Sequence, residues 1–223
     1  MPKASVNGFK LHYEIEGDGE ALVLIPGFAS GLSIWTRQIP ALSRHFRVIS
    51  FDPRGIDESE KPDGPQSIRL LADDLAHLLI ALHIPRAHIL GVSFGGFVAQ
   101  EFALKYPLMT RKLVLCCTSF GGPNHVKADM DLGQTRELNS SQFEAAVAFD
   151  AESRVEGIRS ETLVLSGDQD NIVPVQNSRN LAAKIPGAKL CIVEGGGHTF
   201  FIERAEEFNQ LLIDFLNEPQ KGT

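Results

Sequence analysis

Short, continuously apolar segments alternate with longer segments of helical periodicity along most of this chain. The apolar segments comprise residues 21–25, 47–51, 87–90, 112–117, 162–165 and 189–193. Strands of this kind are buried on both faces, which is typical of a parallel sheet between two layers of helices. Two earlier apolar segments, residues 4–6 and 9–15, flank Asn7-Gly8, a strong signal for a two-residue hairpin turn. We therefore predict an α/β fold: a mostly parallel, twisted sheet with helices on both faces and an N-terminal antiparallel hairpin.

The segments between the strands carry apolar residues at three- and four-residue spacing, which is the period of an α-helix. Ser67 suits the N-cap of the longest segment, and Pro174 suits a first helical turn, where no backbone donor is needed. The predicted helices run from Ser33 to about Arg44, from Ser67 through Leu82, from Phe94 to Lys105, onward from Pro174, and from about Glu203 to Leu216.

The length of the chain, 223 residues, suits one sizeable hydrophobic core, so we expect a single domain over residues 1–223. The formal net charge of −7 and the lack of a basic stripe argue against a nucleic-acid partner. No uninterrupted apolar segment approaches the roughly 18 residues of a membrane-spanning helix, so we expect no membrane association. The predicted partner is therefore a small molecule, and the sequence does not determine the oligomeric state.

The cysteines and the N-terminal residues indicate the cellular compartment. Residues 1–17 contain no apolar core of a secretory signal. Of the three cysteines, Cys116 and Cys117 adjoin inside one apolar segment and Cys191 lies in another. We expect buried, reduced thiols, which are typical of a cytoplasmic protein. Adjacent cysteines do not have the spacing of a metal knuckle, so no metal site is predicted from them.

The alternation of strands and helices breaks between Phe120 and Glu161, where no segment has the pattern of a strand. The tetrapeptide SQFE at residues 141–144 has the spacing of a capping box and begins a broken amphipathic segment. The residues before it are polar and irregular. We predict a small cap, inserted at about residues 120–160 over the carboxyl edge of the sheet, with Ser141 as the N-cap of its helix.

One serine stands at the junction between a predicted strand and a predicted helix, in the segment Gly91-Val92-Ser93-Phe94-Gly95. This segment fits the motif G-x-S-x-G, and a strand-to-helix corner is the position that a nucleophile elbow requires. The flanking glycines would allow close packing, and a strained backbone would direct the serine hydroxyl out of the sheet. We therefore predict that Ser93 is a nucleophile, with an ordinary tight turn as the alternative.

A serine hydroxyl needs a base to remove its proton, and His198 is our candidate among the seven histidines. It follows the last predicted strand after three glycines, at the edge where ligand sites of open α/β sheets lie. We expect the other histidines to be surface or packing residues: His12, His45, His77, His83, His88 and His125. The base in turn needs a carboxylate, and the loop after the preceding strand offers both Asp168 and Asp170.

Five segments of the chain resemble the α/β-hydrolase superfamily, in particular its esterase and 3-oxoadipate enol-lactonase-like branch. They are LVLIPGFASG, FDPRGIDESEKPDG, GVSFGGFVAQEFALKYP, VLSGDQDNIVP and EGGGH. The resemblance extends from about Val6 to Leu216 except in the insertion, and the chain order of serine, aspartate and histidine agrees with it. It implies that Ser93 is the nucleophile, His198 the base and Asp170 the acid.

The same resemblance implies an oxyanion hole formed by the backbone N–H groups of Phe28 and Phe94. The sequence departs from the family at two places. Asp57 stands where the family usually has glycine, and aspartate tolerates a left-handed backbone better than most residues. The cap of the family is substantially longer than this insertion, so we expect a shortened cap and an accessible Ser93.

These features predict a serine hydrolase that cleaves small carboxylic esters through an acyl-enzyme and uses neither a cofactor nor a metal. Hydrolysis of lactones or of C–C bonds would use the same triad. Two alternatives from other classes are a small-ligand sensor with little turnover and a protein whose site no longer works. The candidate walls of the substrate site are aromatic residues, each of which would also suit the core: Phe28, Trp35, Phe94, Phe120 and Phe200.

Overall fold

The computed structural model describes residues 1–126 and 139–219 of the chain. Within these residues eight strands form one sheet: β1 Lys3–Val6, β2 Phe9–Glu16, β3 Ala21–Ile25, β4 Arg47–Phe51, β5 Ala87–Val92, β6 Thr110–Cys116, β7 Glu161–Gly167 and β8 Lys189–Val193. The strand order is β1-β2-β4-β3-β5-β6-β7-β8. Strand β2 pairs antiparallel with β1 and β4, and all the other pairs are parallel. The predicted fold class is therefore confirmed.

The N-terminal hairpin has the predicted two-residue turn. Val6 and Phe9 are paired residues of β1 and β2, so only Asn7 and Gly8 connect the strands. Both connecting residues have positive φ angles, 43° at Asn7 and 83° at Gly8. An Asn-Gly turn with two positive φ angles matches the right-handed twist of the strands that it joins.

The described helices are α1 Ile39–Leu42, α2 Ile68–Ala81, α3 Phe94–Lys105, α4 Ser140–Ala148, α5 Val175–Lys184, α6 Phe200–Glu203 and α7 Ala205–Asn217, with short 3₁₀ helices at Leu32–Trp35, Pro107–Met109 and Val155–Gly157. Ser67 caps α2 as predicted, because its Oγ accepts a 3.1 Å hydrogen bond from the Leu70 N–H. None of these described helices has both the length and the apolar character needed to cross a bilayer.

One helix prediction needs correction. The helix expected from Ser33 to about Arg44 is wrong in extent, because the segment forms only the 3₁₀ helix and the single turn of α1. Pro40 explains the break, since it has no N–H for the carbonyl of Thr36 and its ring would clash with that carbonyl in a continuous helix. The last helix, predicted from about Glu203 to Leu216, is confirmed as α7, and the single turn of α6 precedes it.

The apolar residues of each central strand alternate between two cores on opposite faces of the sheet. In β3, Val23 and Ile25 face the core that is covered by α2, α3 and α5, whereas Leu22 and Leu24 face the core that is covered by α1, α6 and α7. Because successive side chains of a strand point to opposite faces, both sets must be apolar. This arrangement explains the unbroken apolar segments in the sequence and confirms the prediction of helices on both faces.

The cap leaves the sheet and returns to it through adjacent segments. Gly122 N–H donates to the Phe149 carbonyl at 2.9 Å, and Ala151 N–H donates to the Phe120 carbonyl at 2.8 Å. The predicted capping box is wrong, because α4 begins at Ser140 and its N-cap is Asn139, whose side chain makes no capping hydrogen bond to the helix. The polar segment predicted ahead of this helix lies largely at 127–138, outside the described residues.

Candidate active site

The candidate site lies at the carboxyl edge of the parallel strands. Ser93 directly follows β5, Cys117 follows β6, Asp170 follows β7 and His198 follows β8. These four strands are consecutive neighbours in the sheet, so their carboxyl ends stand side by side. Ligand sites of open α/β sheets form at this edge.

Ser93 has the backbone conformation of a sharp corner. Its φ and ψ angles are 53° and −119°, a combination that residues with a side chain rarely adopt. Two hydrogen bonds hold the residue there: its N–H donates to the Cys116 carbonyl at 2.9 Å, and its carbonyl accepts from Thr118 Oγ1 at 2.8 Å. Strained backbone of this kind persists only where the surroundings fix it, and it is concentrated at functional sites.

The glycines on either side of Ser93 are required by close backbone packing. A Cβ atom at Gly95 would lie 2.4 Å from the carbonyl oxygens of Ile25 and Pro26. A Cβ atom at Gly91 would lie 2.3 Å from the Gly95 carbonyl oxygen. Any side chain at these positions would push α3 away from the sheet and displace the corner.

His198 and Asp170 form a hydrogen-bonded pair. His198 Nδ1 lies 2.9 Å from Asp170 Oδ2, with the carboxylate fully buried and the imidazole 13% exposed. The second carboxylate oxygen, Oδ1, accepts from the backbone N–H groups of Ile172 and Val173 at 2.9 and 2.8 Å. The Asp170 carboxylate is thus held by backbone N–H groups of its own loop, and the imidazole uses Nδ1 to bind it. The other ring nitrogen, Nε2, is left for a second partner.

Asp168, the other aspartate that the sequence offered, has a different contact. Its Oδ1 accepts a 2.7 Å hydrogen bond from the Gly195 N–H. The neighbouring Gln169 N–H donates to the Gly196 carbonyl at 2.9 Å. These bonds join the loop after β7 to the glycine loop that carries His198. Asp168 therefore stabilises the loop, and its carboxylate does not bind the imidazole.

The loop after β3 carries Phe28 and closes a turn, in which the Ser30 N–H donates to the Gly27 carbonyl at 3.3 Å. Within this turn Ala29 has a positive φ of 55°. The Ala29 N–H donates to Gln142 Oε1 of α4 at 2.9 Å, and the Phe28 carbonyl accepts from Ser30 Oγ at 3.2 Å. The peptide plane between Phe28 and Ala29 is therefore held at both ends.

Gln142 is a residue that sequence reasoning missed. Its side chain is only 2% exposed, although it belongs to the short cap helix. The available signal was its position three residues before Ala145, which places both residues on the buried face of α4. A buried amide on a helix face that is otherwise apolar needs a polar partner, and the partner here is the Phe28 loop.

The loop in which Asp57 replaces glycine has the predicted left-handed backbone, with a φ of 42° at Asp57. Next to it a second aspartate–histidine pair is buried: His12 Nδ1 lies 2.7 Å from Asp52 Oδ2. Asp52 Oδ1 accepts from the Leu32 N–H at 2.9 Å. His12 was expected to be a surface or packing residue, and this buried pair is the specific contact that the sequence did not indicate.

The five aromatic candidates occupy two kinds of position. Phe28 is half-buried and meets the ring of Phe94 edge to face, with centroids 6.1 Å apart. Trp35, Phe120 and Phe200 are at most 2% exposed and belong to the two cores. These three residues therefore pack in the core, which was one of the two roles that the sequence allowed. Their contribution to a substrate site stays a prediction.

Cys117 is the unexpected neighbour of the aspartate–histidine pair. Its Sγ, a carboxylate oxygen of Asp170 and a ring nitrogen of His198 all lie within 4.8 Å of one another. Cys117 has a positive φ of 48°, and its Sγ lies 3.7 Å from that of Cys116. The contact with the Cys116 thiol, together with burial, raises the pKa of Cys117 well above its usual value. The thiol is therefore protonated at neutral pH, and all three cysteines of the chain are free of disulfides.

Comparisons with known proteins agree with this architecture. A family model described as the alpha/beta hydrolase fold matches residues 20–156, more than half of the chain. A second model, described as TAP-like protein, matches residues 141–223.

Individual relatives align along nearly the whole chain. RutD from Stutzerimonas stutzeri, assigned by name as a carbamate hydrolase, is 29% identical over 94% of this chain and 96% of its own length. The serine hydrolase BPHL of Mus musculus is 30% identical over 96% of this chain and 85% of its own length. The alignment with RutD spans 257 positions, more than the 223 residues of this chain, so the relative contains segments that this chain lacks.

Among solved structures, the enol-lactonase from Burkholderia xenovorans superposes with a TM-score of 0.85. It is 31% identical, and the match covers 97% of this chain and all of that one. The fold described above is thus that of the matched family. This chain belongs to the α/β-hydrolase family.

Proposed function

We propose that this protein is a carboxylesterase-like serine hydrolase that cleaves small carboxylic esters with a triad of Ser93, His198 and Asp170. The observation that carries the proposal is the 2.9 Å pair between His198 Nδ1 and Asp170 Oδ2 at the sheet edge where Ser93 is held in a strained corner. A carboxylate on Nδ1 fixes the tautomer in which Nε2 is a base. That arrangement is what a serine nucleophile requires.

In the acylation step His198 Nε2 takes the proton of Ser93 Oγ while that oxygen attacks the ester carbonyl. The imidazolium that forms is stabilised by the buried Asp170 carboxylate, whose other oxygen is already neutralised in part by two backbone N–H groups. His198 then donates the proton to the departing alcohol. The products of this step are the free alcohol and an ester on Ser93.

The negative charge of the tetrahedral intermediate would be bound by the N–H groups of Phe28 and Phe94. Phe94 is the first residue of α3, so its N–H has no partner within the helix and lies at the positive end of the helix dipole. The Phe28 N–H belongs to the turn that Gln142 and Ser30 hold. Fixed donors of this kind stabilise charge that develops only in the transition state, and losing one typically costs about 10²–10³ in rate.

In deacylation the same histidine activates water, which attacks the Ser93 ester and releases the acid. The steps need only proton transfer and backbone donors, all supplied by residues of this chain, so the proposed reaction uses no cofactor. We place the protein in the cytoplasm, in line with its three free thiols.

The small cap favours small or accessible esters over ligands that need an enclosed pocket. Lactones are the second candidate, because the solved relative with 31% identity and a TM-score of 0.85 is an enol-lactonase. A carbamate, the substrate class in the name of RutD, presents a similar carbonyl to the same nucleophile. Hydrolysis of a C–C bond would need the same triad, with a carbon leaving group in place of the alcohol.

Turnover of p-nitrophenyl acetate and butyrate by the wild type and by Ser93→Ala tests the proposal. Ser153→Ala is the matched control, because Ser153 is exposed and lines a surface groove with Arg69 and Glu101 that contains no triad residue. We expect Ser93→Ala to lose at least about 10³-fold in kcat while Ser153→Ala retains the wild-type rate. Equal, slow rates for all three proteins would refute a serine hydrolase. A ligand sensor would instead show thermal stabilisation by ligands together with negligible turnover.

The same assay ranks the substrate classes. We expect kcat/KM for a short-chain ester to exceed that for a γ-lactone and for a phenyl carbamate of similar size. A lactone preference of tenfold or more would move the assignment to lactone hydrolysis without changing the triad.

A further inference from the structure

Three potential metal ligands of different chemistry converge at the sheet edge that carries the proposed nucleophile. Cys117, Asp170 and His198 come from the loops after three successive strands, β6, β7 and β8. Their ligand atoms, a thiol sulfur, a carboxylate oxygen and an imidazole nitrogen, lie within 4.8 Å of one another. Sulfur, nitrogen and oxygen ligands in such a set are those of zinc sites in proteins, whereas magnesium and calcium prefer oxygen alone.

We propose that Zn²⁺ binds between Cys117 Sγ, Asp170 Oδ2 and His198 Nδ1 and thereby switches the hydrolase off reversibly. The binding part of this inference stands on the geometry of the three side chains, and the inhibition part rests on the proposed function.

The required rearrangement is small. Bond lengths of about 2.3 Å to sulfur and about 2.0–2.2 Å to nitrogen and oxygen place the ligand atoms of a tetrahedral zinc ion roughly 3.3–3.6 Å apart. The Asp170–His198 separation of 2.9 Å must therefore open by about half an ångström. The sulfur, at most 4.8 Å from the other two ligand atoms, must approach them by up to about 1.2 Å, which a rotation of the cysteine side chain would supply.

The site is largely ordered before the metal arrives. Asp170 keeps its bonds from Ile172 and Val173 through Oδ1, so Oδ2 is free to exchange the imidazole N–H for a metal. The Cys117 N–H donates to the Leu165 carbonyl at 2.9 Å, which anchors the thiol-bearing residue to β7. Ligands that are already held in place lose little conformational entropy on binding.

The proton balance explains the inhibition. Binding as a thiolate releases the Cys117 proton to solvent, while the imidazole proton moves from Nδ1 to Nε2. An Nε2–H group is a donor and cannot accept the Ser93 proton, so the base is lost. One proton therefore leaves for each zinc ion bound.

The neighbouring thiols supply matched controls. Cys116 is equally buried, belongs to the same core cluster and lies with its Sγ 3.7 Å from that of Cys117, but it is not one of the three converging ligands. Cys191 is half-buried on β8. Replacing either one removes a thiol of the chain without removing the proposed ligand.

We would titrate Zn²⁺ into five proteins while following p-nitrophenyl acetate hydrolysis: the wild type, Cys117→Ala, Cys117→Ser, Cys116→Ala and Cys191→Ala. Each rate would be expressed relative to the rate of the same protein without metal. We expect micromolar Zn²⁺ to inhibit the wild type and both control variants, with full recovery on adding a chelator. At least tenfold more Zn²⁺ should be needed for both Cys117 variants. Equal inhibition of Cys117→Ser and the wild type would overturn the proposal.

A second measurement keeps the metal site testable if ester hydrolysis itself is absent. Co²⁺ substituted at the site should give a near-ultraviolet thiolate-to-metal absorption band in the wild type and in Cys116→Ala, and no band in Cys117→Ser. Zn²⁺ should also raise the Tm of the wild type and leave that of Cys117→Ser unchanged. A Co²⁺ spectrum without the thiolate band would refute the site whatever the activity.

Discussion

Replacing Gln142 by methionine should slow ester hydrolysis although the residue lies in the cap and is not part of the triad. Its Oε1 accepts the Ala29 N–H at 2.9 Å, and the side chain is 2% exposed. Methionine has a similar length and no acceptor of comparable strength, so the Ala29 N–H would be left without its partner in a partly buried position. An unsatisfied buried donor costs about 1–3 kcal/mol.

This cost should lower the rate, because the loop that carries Phe28 and Ala29 can move until water hydrates the unpaired Ala29 N–H. The bond to Gln142 fixes the peptide plane after Phe28, and a loop that turns to find water displaces the Phe28 N–H from the oxyanion. At 1.36 kcal/mol per factor of ten, the expected loss in kcat/KM is about 5- to 150-fold. The loss should fall mainly on kcat, because the oxyanion forms only in the transition state.

The assay is steady-state hydrolysis of p-nitrophenyl acetate by the wild type, Gln142→Met, Ser30→Ala and the double variant. Glu144→Met is the matched control, because Glu144 is exposed on the solvent face of the same helix. Ser30 holds the other end of the peptide plane through a longer bond of 3.2 Å, so its replacement should cost less. Because both residues hold one plane, the double variant should depart from additivity by at least about 0.5 kcal/mol.

Two results would refute this reasoning. One is a Gln142→Met enzyme whose kcat lies within twofold of the wild type. The other is an equal loss in Gln142→Met and Glu144→Met, which would show that the cap helix acts through its overall stability.

Three further predictions concern the acid, the pH dependence of stability and the elbow. Asp170→Asn should lower kcat by about 10²–10⁴-fold, because the tautomer of the base is lost. The kcat of Asp168→Asn should stay within tenfold of the wild type, since an amide oxygen can still accept the Gly195 N–H, and the reverse order of the two rates would reassign the acid. Burial lowers the pKa of His88 to about 4, so the folded protein should lose about 3 kcal/mol of unfolding free energy as the pH falls from 6.5 to 4. In urea unfolding, the free energy of His88→Gln should change less with pH over that range. Gly95→Ala should cost at least about 2–3 kcal/mol in unfolding free energy and abolish activity, whereas Gly197→Ala, whose Cβ would meet no atom within 4 Å, should change it by no more than about 0.5 kcal/mol. Equal Tm values for these two variants would contradict the packing argument.

The parts of the fold that were predictable are those that depend on the local order of residues along the chain. Continuous apolar segments predicted the buried strands because both faces of the sheet are covered, and Asn7-Gly8 predicted the hairpin turn because few other residues accept two positive φ angles. The corner at Ser93 was predictable for the same reason, since the pattern of a strand ends where that of a helix begins.

Contacts between distant segments were not predictable from local patterns. Gln142 and Ala29 are separated by 113 residues, and nothing in either segment indicates the other. Cys117 reaches Asp170 and His198 only because β6, β7 and β8 are adjacent in the sheet. The helix from Ser33 failed for a different reason: the apolar period was present, but Pro40 prevents a continuous helix.

Covalent labelling tests the central claim, that Ser93 is a nucleophile activated by His198, most directly. The wild type, Ser93→Ala and His198→Ala would each be incubated with a fluorophosphonate, digested and mapped by peptide mass spectrometry. The account predicts one stoichiometric adduct on Ser93 in the wild type, none in Ser93→Ala, and labelling slowed by at least about 10²-fold in His198→Ala. An unlabelled Ser93 in a protein that hydrolyses esters, or labelling at the same rate without His198, would contradict it.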